Sequence, residues 1–129
     1  MRIVYILFSV LLLMTLMACQ EEPRTYEDFE HLDHWSQVDE FDDGKVLVFY
    51  YSPYCPACKS IQEEVVDFKE NHSDRVPLHF MVSKDRQGTP PVELKSVPAI
   101  LVFEDREFIE MIIGANNSEA YLAELVEEL

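Results

Sequence analysis

Residues 51–59, Tyr-Ser-Pro-Tyr-Cys-Pro-Ala-Cys-Lys, join an apolar run to a helical pattern. The run over 45–51 is apolar on both faces, which predicts a central strand covered on two sides. The residues that follow predict an amphipathic helix over 55–71. Its apolar positions are Cys58, Ile61, Val65 and Phe68. The two cysteines of the quoted stretch therefore lie where a buried strand passes into a helix.

The first turn of a helix is a distinctive place for a cysteine. Backbone N–H groups there have no intrahelical partner, and the summed peptide dipoles place partial positive charge at that end. Both effects favour the thiolate, which is the nucleophilic form of cysteine. Cys55 and Cys58 are separated by two residues, so that the second sulfur lies one helical turn from the first. The second sulfur can then attack a bond that the first has made, and the motif predicts thiol-disulfide exchange.

Two other uses of this cysteine pair are less consistent with the sequence. A structural disulfide here would close a very short loop and contribute little stability. A zinc site completed by His31 and His34 would need a different histidine spacing from the one present. The chain is therefore expected to hold no metal and no cofactor.

The chain has 129 residues and a formal net charge of −15, from 25 acidic residues against 10 Lys and Arg. Without a leader, about 100 residues remain, which is enough for one domain with a single core. Nucleic-acid binding needs a basic footprint, so the acidic balance argues against a nucleic-acid partner.

Residues 1–18 have the pattern of an export signal, with a positive charge at Arg2, an apolar run and a small residue at the end. Residues 16–19, Leu-Met-Ala-Cys, resemble the lipobox of bacterial lipoproteins. That resemblance implies that Cys19 carries lipid, that residues 19–24 form a short tether, and that a domain over 25–129 is held on the outer face of the cytoplasmic membrane. An uncleaved anchor is the alternative, although the apolar run falls short of the roughly 20 residues of a spanning helix.

The rest of the chain alternates between strand and helix patterns. Apolar residues recur at every third position over 25–43, which leaves open a helix or a short edge strand before a helix that starts near Ser36. A strand over 76–83 then implies a parallel crossover from the first strand. The remaining predictions are one helical turn at 91–95, a hairpin of 99–103 with 107–113, a break at Gly114, and a final helix capped by Asn116, Asn117 or Ser118.

This order of elements resembles the thioredoxin fold, an α/β fold with a central mixed sheet flanked by helices. Residues 55–59 resemble the active-site turn of that family, Val97-Pro98 resembles its cis-proline element, and Gly114 resembles the glycine after its last strand. The resemblance covers nearly all of residues 25–129.

The resemblance implies a role for each matching residue. Cys55 is the expected nucleophile and Cys58 the expected resolving thiol. Pro98 is expected to be cis and to pack beside them, with the backbone of Val97 pairing with the extended chain of a substrate. The residues expected to contact substrate are Tyr54, Pro56, Val97 and Pro98.

Two departures from the family pattern leave questions open. Phe49 occupies the position of a buried aspartate that assists proton transfer, so water, His79 or Lys84 would have to serve instead. The residues between the cysteines are Pro-Ala, without the histidine that follows the proline in periplasmic disulfide oxidases. An intermediate redox poise is expected, and the direction of electron flow stays open.

The sequence therefore predicts an exported, lipid-anchored thiol-disulfide oxidoreductase that acts on cysteine-containing proteins or peptides outside the cytoplasmic membrane. A membrane electron carrier or a partner oxidoreductase would complete its cycle. The alternative is a non-catalytic lipoprotein that uses a thioredoxin-like scaffold for partner contact in peptide export or envelope assembly.

Overall fold

The computed structural model of the protein describes residues 2–17, 24–84 and 88–129. Its strands form one five-stranded sheet in the order β1-β3-β2-β4-β5. The strands are β1 (His31–Leu32), β2 (Lys45–Tyr51), β3 (Leu78–Val82), β4 (Ala99–Glu104) and β5 (Glu107–Ile113). The pairs β1–β3 and β2–β3 are parallel, whereas β2–β4 and β4–β5 are antiparallel. The mixed sheet and the parallel crossover predicted from the sequence are confirmed.

Helices flank this sheet. The α-helices of the described residues are α1 (Arg2–Met17), α2 (Pro56–Ser60), α3 (Gln62–Asn71) and α4 (Ala115–Glu128). The helix predicted over 55–71 is thus present in two pieces, because the backbone of Ile61, with φ −109° and ψ 12°, leaves the α-helical region. Its apolar stripe stays buried across the break. The break therefore changes the path of the helix without turning a different face to the sheet.

The central strand β2 is buried on both faces, as predicted. Its residues 47, 49 and 51 join the core cluster beneath α2, α3 and α4, which also contains Cys58. Residues 46, 48 and 50 join a second cluster on the opposite face of the sheet. Full burial of each large apolar side chain stabilises the fold by about 1.5–3 kcal/mol. The alternation places the side chain of Tyr51 on the cysteine-bearing face.

The segment over 25–43 forms neither a continuous helix nor a continuous strand. Two 3₁₀ helices, Tyr26–Asp28 and Trp35–Glu40, flank the short edge strand β1. A 3₁₀ helix has three residues per turn, so apolar residues at every third position fall on one face of it. Trp35, Val38 and Phe41 are all buried in the second cluster. Of the two alternatives left open by the sequence, the edge strand before a helix is the closer one, with a 3₁₀ helix that starts at Trp35.

Three local predictions are corrected by the structure. The strand predicted over 76–83 is shorter, at Leu78–Val82. The helical turn predicted at 91–95 is wrong, because Val92 and Leu94, two residues apart, both pack against the second cluster, as in an extended segment. Helix α4 begins at Ala115 with Gly114 as its N-cap, two to four residues before the predicted caps.

The hairpin of β4 and β5 is confirmed, with Asp105 and Arg106 at positive φ in its turn. Gly44 lies in the turn that leads into β2, and its N–H donates a hydrogen bond to Oδ1 of Asp105 at 2.8 Å. These contacts fix the end of the sheet remote from the cysteines.

At the N terminus, α1 exposes its side chains over residues 2–12. Over residues 2–17, 24–84 and 88–129, no helix combines the length and the apolar character needed to cross a bilayer. Cys19 and most of the predicted tether lie outside the described residues, so the leader, the lipidation and the domain boundaries stay predictions.

Candidate active site

The strand-to-helix junction places Cys55 at the N-cap of α2. Its backbone is extended, with φ −93° and ψ 112°, and Pro56 follows at the first helical position. Proline suits that position because its fixed φ matches the helix and its missing N–H would have no partner there. The Sγ of Cys55 accepts a hydrogen bond from the backbone N–H of Cys58 at 3.1 Å. A donor directed at sulfur in this way stabilises negative charge on it.

The two thiols differ sharply in exposure. Both are free, Cys55 is half-buried, and Cys58 has 0% of its surface exposed. Burial raises the pKa of the Cys58 thiol well above its ordinary value, and its hydrogen bond with Cys55 acts in the same direction. One sulfur is therefore accessible from outside, whereas the other is a buried, protonated thiol next to it.

The Val97–Pro98 segment lies beside the accessible sulfur. Its peptide bond is cis, as the family resemblance implied. The thiol of Cys55 donates to the carbonyl oxygen of Val97, with 3.8 Å between sulfur and oxygen. The carbonyl of Pro98 in turn accepts from the N–H of Gly114 at 2.9 Å. The fold thus brings together three segments that are far apart in sequence.

Tyr54 and Pro56 flank the accessible sulfur on the outside of the molecule. Tyr54 is 81% exposed, and Pro56 is also exposed. A large exposed aromatic ring next to a reactive group is suited to contact with a bound chain. Contact of either residue with substrate stays a prediction.

Phe49, at the position of the family's buried aspartate, packs among aromatic rings. Its ring lies 5.1 Å from that of Tyr26 and 5.7 Å from that of Tyr51, measured between centroids. His79 is on the opposite face of β3 from Phe80 and stacks on Phe41 at 4.8 Å, so it faces away from the cysteines. Burial lowers its pKa. Lys84 is exposed in the turn after β3.

Two tyrosines and His31 make contacts on the cysteine-bearing side of the sheet that the sequence did not predict. The hydroxyl of Tyr26 donates to the carbonyl oxygen of Cys58 at 2.7 Å, in a buried contact. The hydroxyl of Tyr51 lies 2.6 Å from Nε2 of His31. Burial raises the pKa of Tyr26, and it raises that of Tyr51 to about 12. Only the apolar spacing that includes Tyr26 hinted at its burial, and nothing in the sequence pairs it with Cys58.

Both histidines of the zinc alternative form hydrogen bonds with other residues. His31 contacts Tyr51, and Nδ1 of His34 accepts from the N–H of Ser36 at 3.0 Å. Within the part of the chain that the structure describes, no group of three or more His, Cys, Asp or Glu side chains could hold a metal ion.

An accessible and a buried thiol one turn apart at a strand-to-helix junction, beside a cis-proline loop, define a thiol-disulfide oxidoreductase site. The Thioredoxin family model matches residues 26–128. The chain belongs to the thioredoxin family, and its class of activity is thiol-disulfide exchange on protein thiols and disulfides.

Individual relatives agree with this assignment. The chain is 28% identical over 88 residues to thioredoxin of Bacillus subtilis. The match covers 67% of this chain and 84% of that one. It is 29% identical over 73 residues to the chloroplastic thioredoxin M2 of Arabidopsis thaliana, covering 56% of this chain but only 39% of the relative. The oxidised mitochondrial thioredoxin 3 of Saccharomyces cerevisiae superposes with a TM-score of 0.64 at 18% identity, covering 82% of this chain and 100% of that one. That last likeness concerns the fold.

Proposed function

We propose that this protein is an exported, lipid-anchored thiol-disulfide oxidoreductase with Cys55 as nucleophile and Cys58 as resolving thiol. The observation that carries the assignment of roles is the difference in exposure between the two sulfurs. Only Cys55 can be approached by a second protein chain, because Cys58 is fully buried. A buried thiol next to the first sulfur is suited to an intramolecular attack.

In the proposed reaction the Cys55 thiolate attacks one sulfur of a client disulfide. The client disulfide breaks, its other sulfur leaves as a thiolate, and a mixed disulfide joins Cys55 to the client. Cys58 then attacks the Cys55 sulfur, forms the Cys55–Cys58 disulfide, and releases the client as a dithiol. The reverse sequence oxidises a client dithiol. The N–H of Cys58 would stabilise the charge on the Cys55 sulfur whenever that sulfur acts as nucleophile or leaving group.

Client contact is proposed for the surface around Cys55. Val97 supplies a backbone next to the sulfur, and its carbonyl is occupied by the Cys55 thiol when no client is present. An extended client chain can pair with that backbone by strand addition. Tyr54, Pro56 and Pro98 would border the same surface.

The location rests on the sequence alone. The export pattern over residues 1–18 and the Leu-Met-Ala-Cys at 16–19 support lipidation of Cys19 and attachment to the outer face of the cytoplasmic membrane. Replacement of Cys19 by Ala should abolish incorporation of labelled fatty acid, with the wild-type chain as control. Equal labelling of the variant would contradict the lipid anchor.

The assignment of the cysteines is tested by trapping. Cys58→Ser removes the resolving thiol, so mixed disulfides between Cys55 and client proteins should accumulate in the native host and disappear on reduction. Cys55→Ser is the matched control and should trap none. If Cys58→Ser yields no thiol-sensitive adduct, the catalytic proposal fails, and a host phenotype that survives replacement of both cysteines would instead favour the partner-contact role.

A further inference from the structure

The reaction proposed above requires Cys58 to lose a proton inside the protein. Its thiol is fully buried, and burial is the strongest influence that keeps it protonated. The side chain and backbone groups that act most strongly on it belong to Cys55, Ser52 and Cys58 itself, and no carboxylate is among them. Phe49 fills the core beside it with an apolar ring. A proton acceptor must therefore come from another group on the same face of the sheet.

A hydrogen-bonded pair lies on that face. The carbonyl oxygen of Phe29 lies 2.8 Å from Nδ1 of His31, and since a carbonyl can only accept, Nδ1 carries a proton. The other ring nitrogen, Nε2, is then free to accept from the hydroxyl of Tyr51 at 2.6 Å. His31 is half-buried and Tyr51 is buried, so the pair connects the edge of the molecule with its interior.

Tyr26 and Ser52 connect this pair with Cys58. The ring of Tyr26 packs on that of Tyr51 with 4.7 Å between centroids, and its hydroxyl holds the Cys58 carbonyl. The backbone of Ser52 acts on the Cys58 thiol in the direction that lowers its pKa. Tyr26, Tyr51 and Ser52 also line a cavity of about 280 Å³. Cys58 does not line this cavity and has 0% of its surface exposed, so solvent in the cavity can reach the pair but not the thiol.

We propose that the His31–Tyr51 pair accepts the proton that Cys58 loses when it attacks the mixed disulfide. This inference rests on the proposed function. The Tyr51 hydroxyl oxygen takes the proton from the Cys58 thiol and gives its own proton to Nε2 of His31. The Cys58–Cys55 sulfur bond forms, the Cys55–client sulfur bond breaks, and the client leaves as a thiolate. His31 then returns its added proton to solvent. Tyr26, which holds the Cys58 carbonyl and packs on Tyr51, serves as a positioning residue.

The charged and titratable groups around the pair also set its pH response. Glu27 acts on Tyr51, and Glu64 on α3 acts on Tyr26. Lys59 and Glu27 both line the cavity. Cys58, Tyr51 and Cys55 also act on Tyr26, and Cys58 acts on Tyr51.

The test is the reaction of the reduced full chain with a small aromatic disulfide that releases a coloured thiolate, followed by stopped flow from about pH 5 to about pH 9. Attack by Cys55 gives a first phase that depends on probe concentration. Attack by Cys58 gives a second phase that does not. His31→Gln keeps a polar side chain that cannot titrate, and Tyr51→Phe keeps the ring. His72→Gln and Tyr121→Phe are the matched controls, since both residues lie outside the pair and the cysteine site.

Loss of the acceptor should slow the second phase by roughly tenfold or more at neutral pH in both variants, because general base catalysis commonly contributes at least that much. The remaining rate should rise with pH as hydroxide takes over, while the first phase and both control variants stay like wild type. An unchanged second phase and pH profile in His31→Gln would overturn the inference, even if Tyr51→Phe failed to fold. Absence of a first phase in the wild type would overturn the proposed function instead, and the inference with it.

Discussion

At the scale of single residues, Tyr26 links the segment before β1 to helix α2. Its hydroxyl donates to the carbonyl of Cys58 across 32 positions of sequence, and its ring contacts Phe49, Tyr51 and Phe80. A buried tyrosine of this kind supplies apolar contact and a hydrogen bond at the same time. The segment before β1 is thereby part of the site.

Tyr26→Phe removes only the hydroxyl from this contact. The carbonyl of Cys58 then loses a partner in a buried setting, which should lower the free energy of unfolding by about 1–3 kcal/mol. Urea unfolding of the reduced protein measures the change. Tyr121→Phe is the control. The Tyr121 hydroxyl is buried and has no hydrogen-bond partner among the residues that the structure describes, so its removal should cost nothing. Equal stability of Tyr26→Phe and wild type would contradict the role given to this bond.

At the scale of elements, the face of α4 that packs on the sheet is well defined. Leu122 and Leu125 are buried in the cysteine-bearing cluster, whereas Leu129 at the end of the helix is 40% exposed. The spacing of these leucines is that of one face of an α-helix. It could not show that the helix ends before Leu129 reaches the core.

Leu122→Ala should therefore destabilise the fold by about 2–5 kcal/mol, since it removes buried methyl groups and leaves a cavity. Leu129→Ala makes the same chemical change at an exposed site and should have an effect within about 0.5 kcal/mol. Thermal or urea unfolding of both variants provides the comparison. A similar loss in the two variants would show that α4 packs differently.

Some elements could be predicted from the sequence and others could not. The central strand, the hairpin and the last helix follow from apolar runs and periodicity, which report local structure directly. The 3₁₀ helices were not recognised because a three-residue spacing is close to both a 3₁₀ and an α-helical stripe. The face of His79 depends on the alternation along β3 and on which cluster covers each face, which only the assembled sheet determines.

For the molecule as a whole, the sequence was informative about the reacting atoms but not about their surroundings. Cys55, Cys58 and Pro98 stand in short recognisable motifs, so their positions could be predicted. Contacts between distant segments bring together Tyr26, His31 and Tyr51. Residue spacing in the sequence does not predict such contacts.

Stability should fall at alkaline pH because of the same buried groups. The pKa values of Cys58, Tyr26 and Tyr51 are all raised above their ordinary values of 9.0 and 10.0. Above about pH 9 the unfolded chain loses these protons while the folded chain keeps them, so each added pH unit lowers the free energy of unfolding. Urea unfolding of the reduced protein from about pH 8 to about pH 11 measures the slope.

Tyr51→Phe and Cys58→Ser should each make that slope smaller, since each removes one group with a raised pKa. The control is Tyr54→Phe, which removes an exposed hydroxyl and should leave the slope as it is. Stability that rises with pH over this range would contradict the burial of these groups.

The central claim is that Cys55 is the accessible nucleophile and Cys58 the buried thiol behind it. Alkylation of the native, reduced full chain with less than one equivalent of iodoacetamide near neutral pH, followed by peptide mass spectrometry, tests this claim directly. The account predicts label on Cys55 in at least about tenfold excess over Cys58, because only Cys55 is open to reagent and Cys58 is held as the thiol. Equal labelling of the two cysteines, or preferential labelling of Cys58, would contradict it.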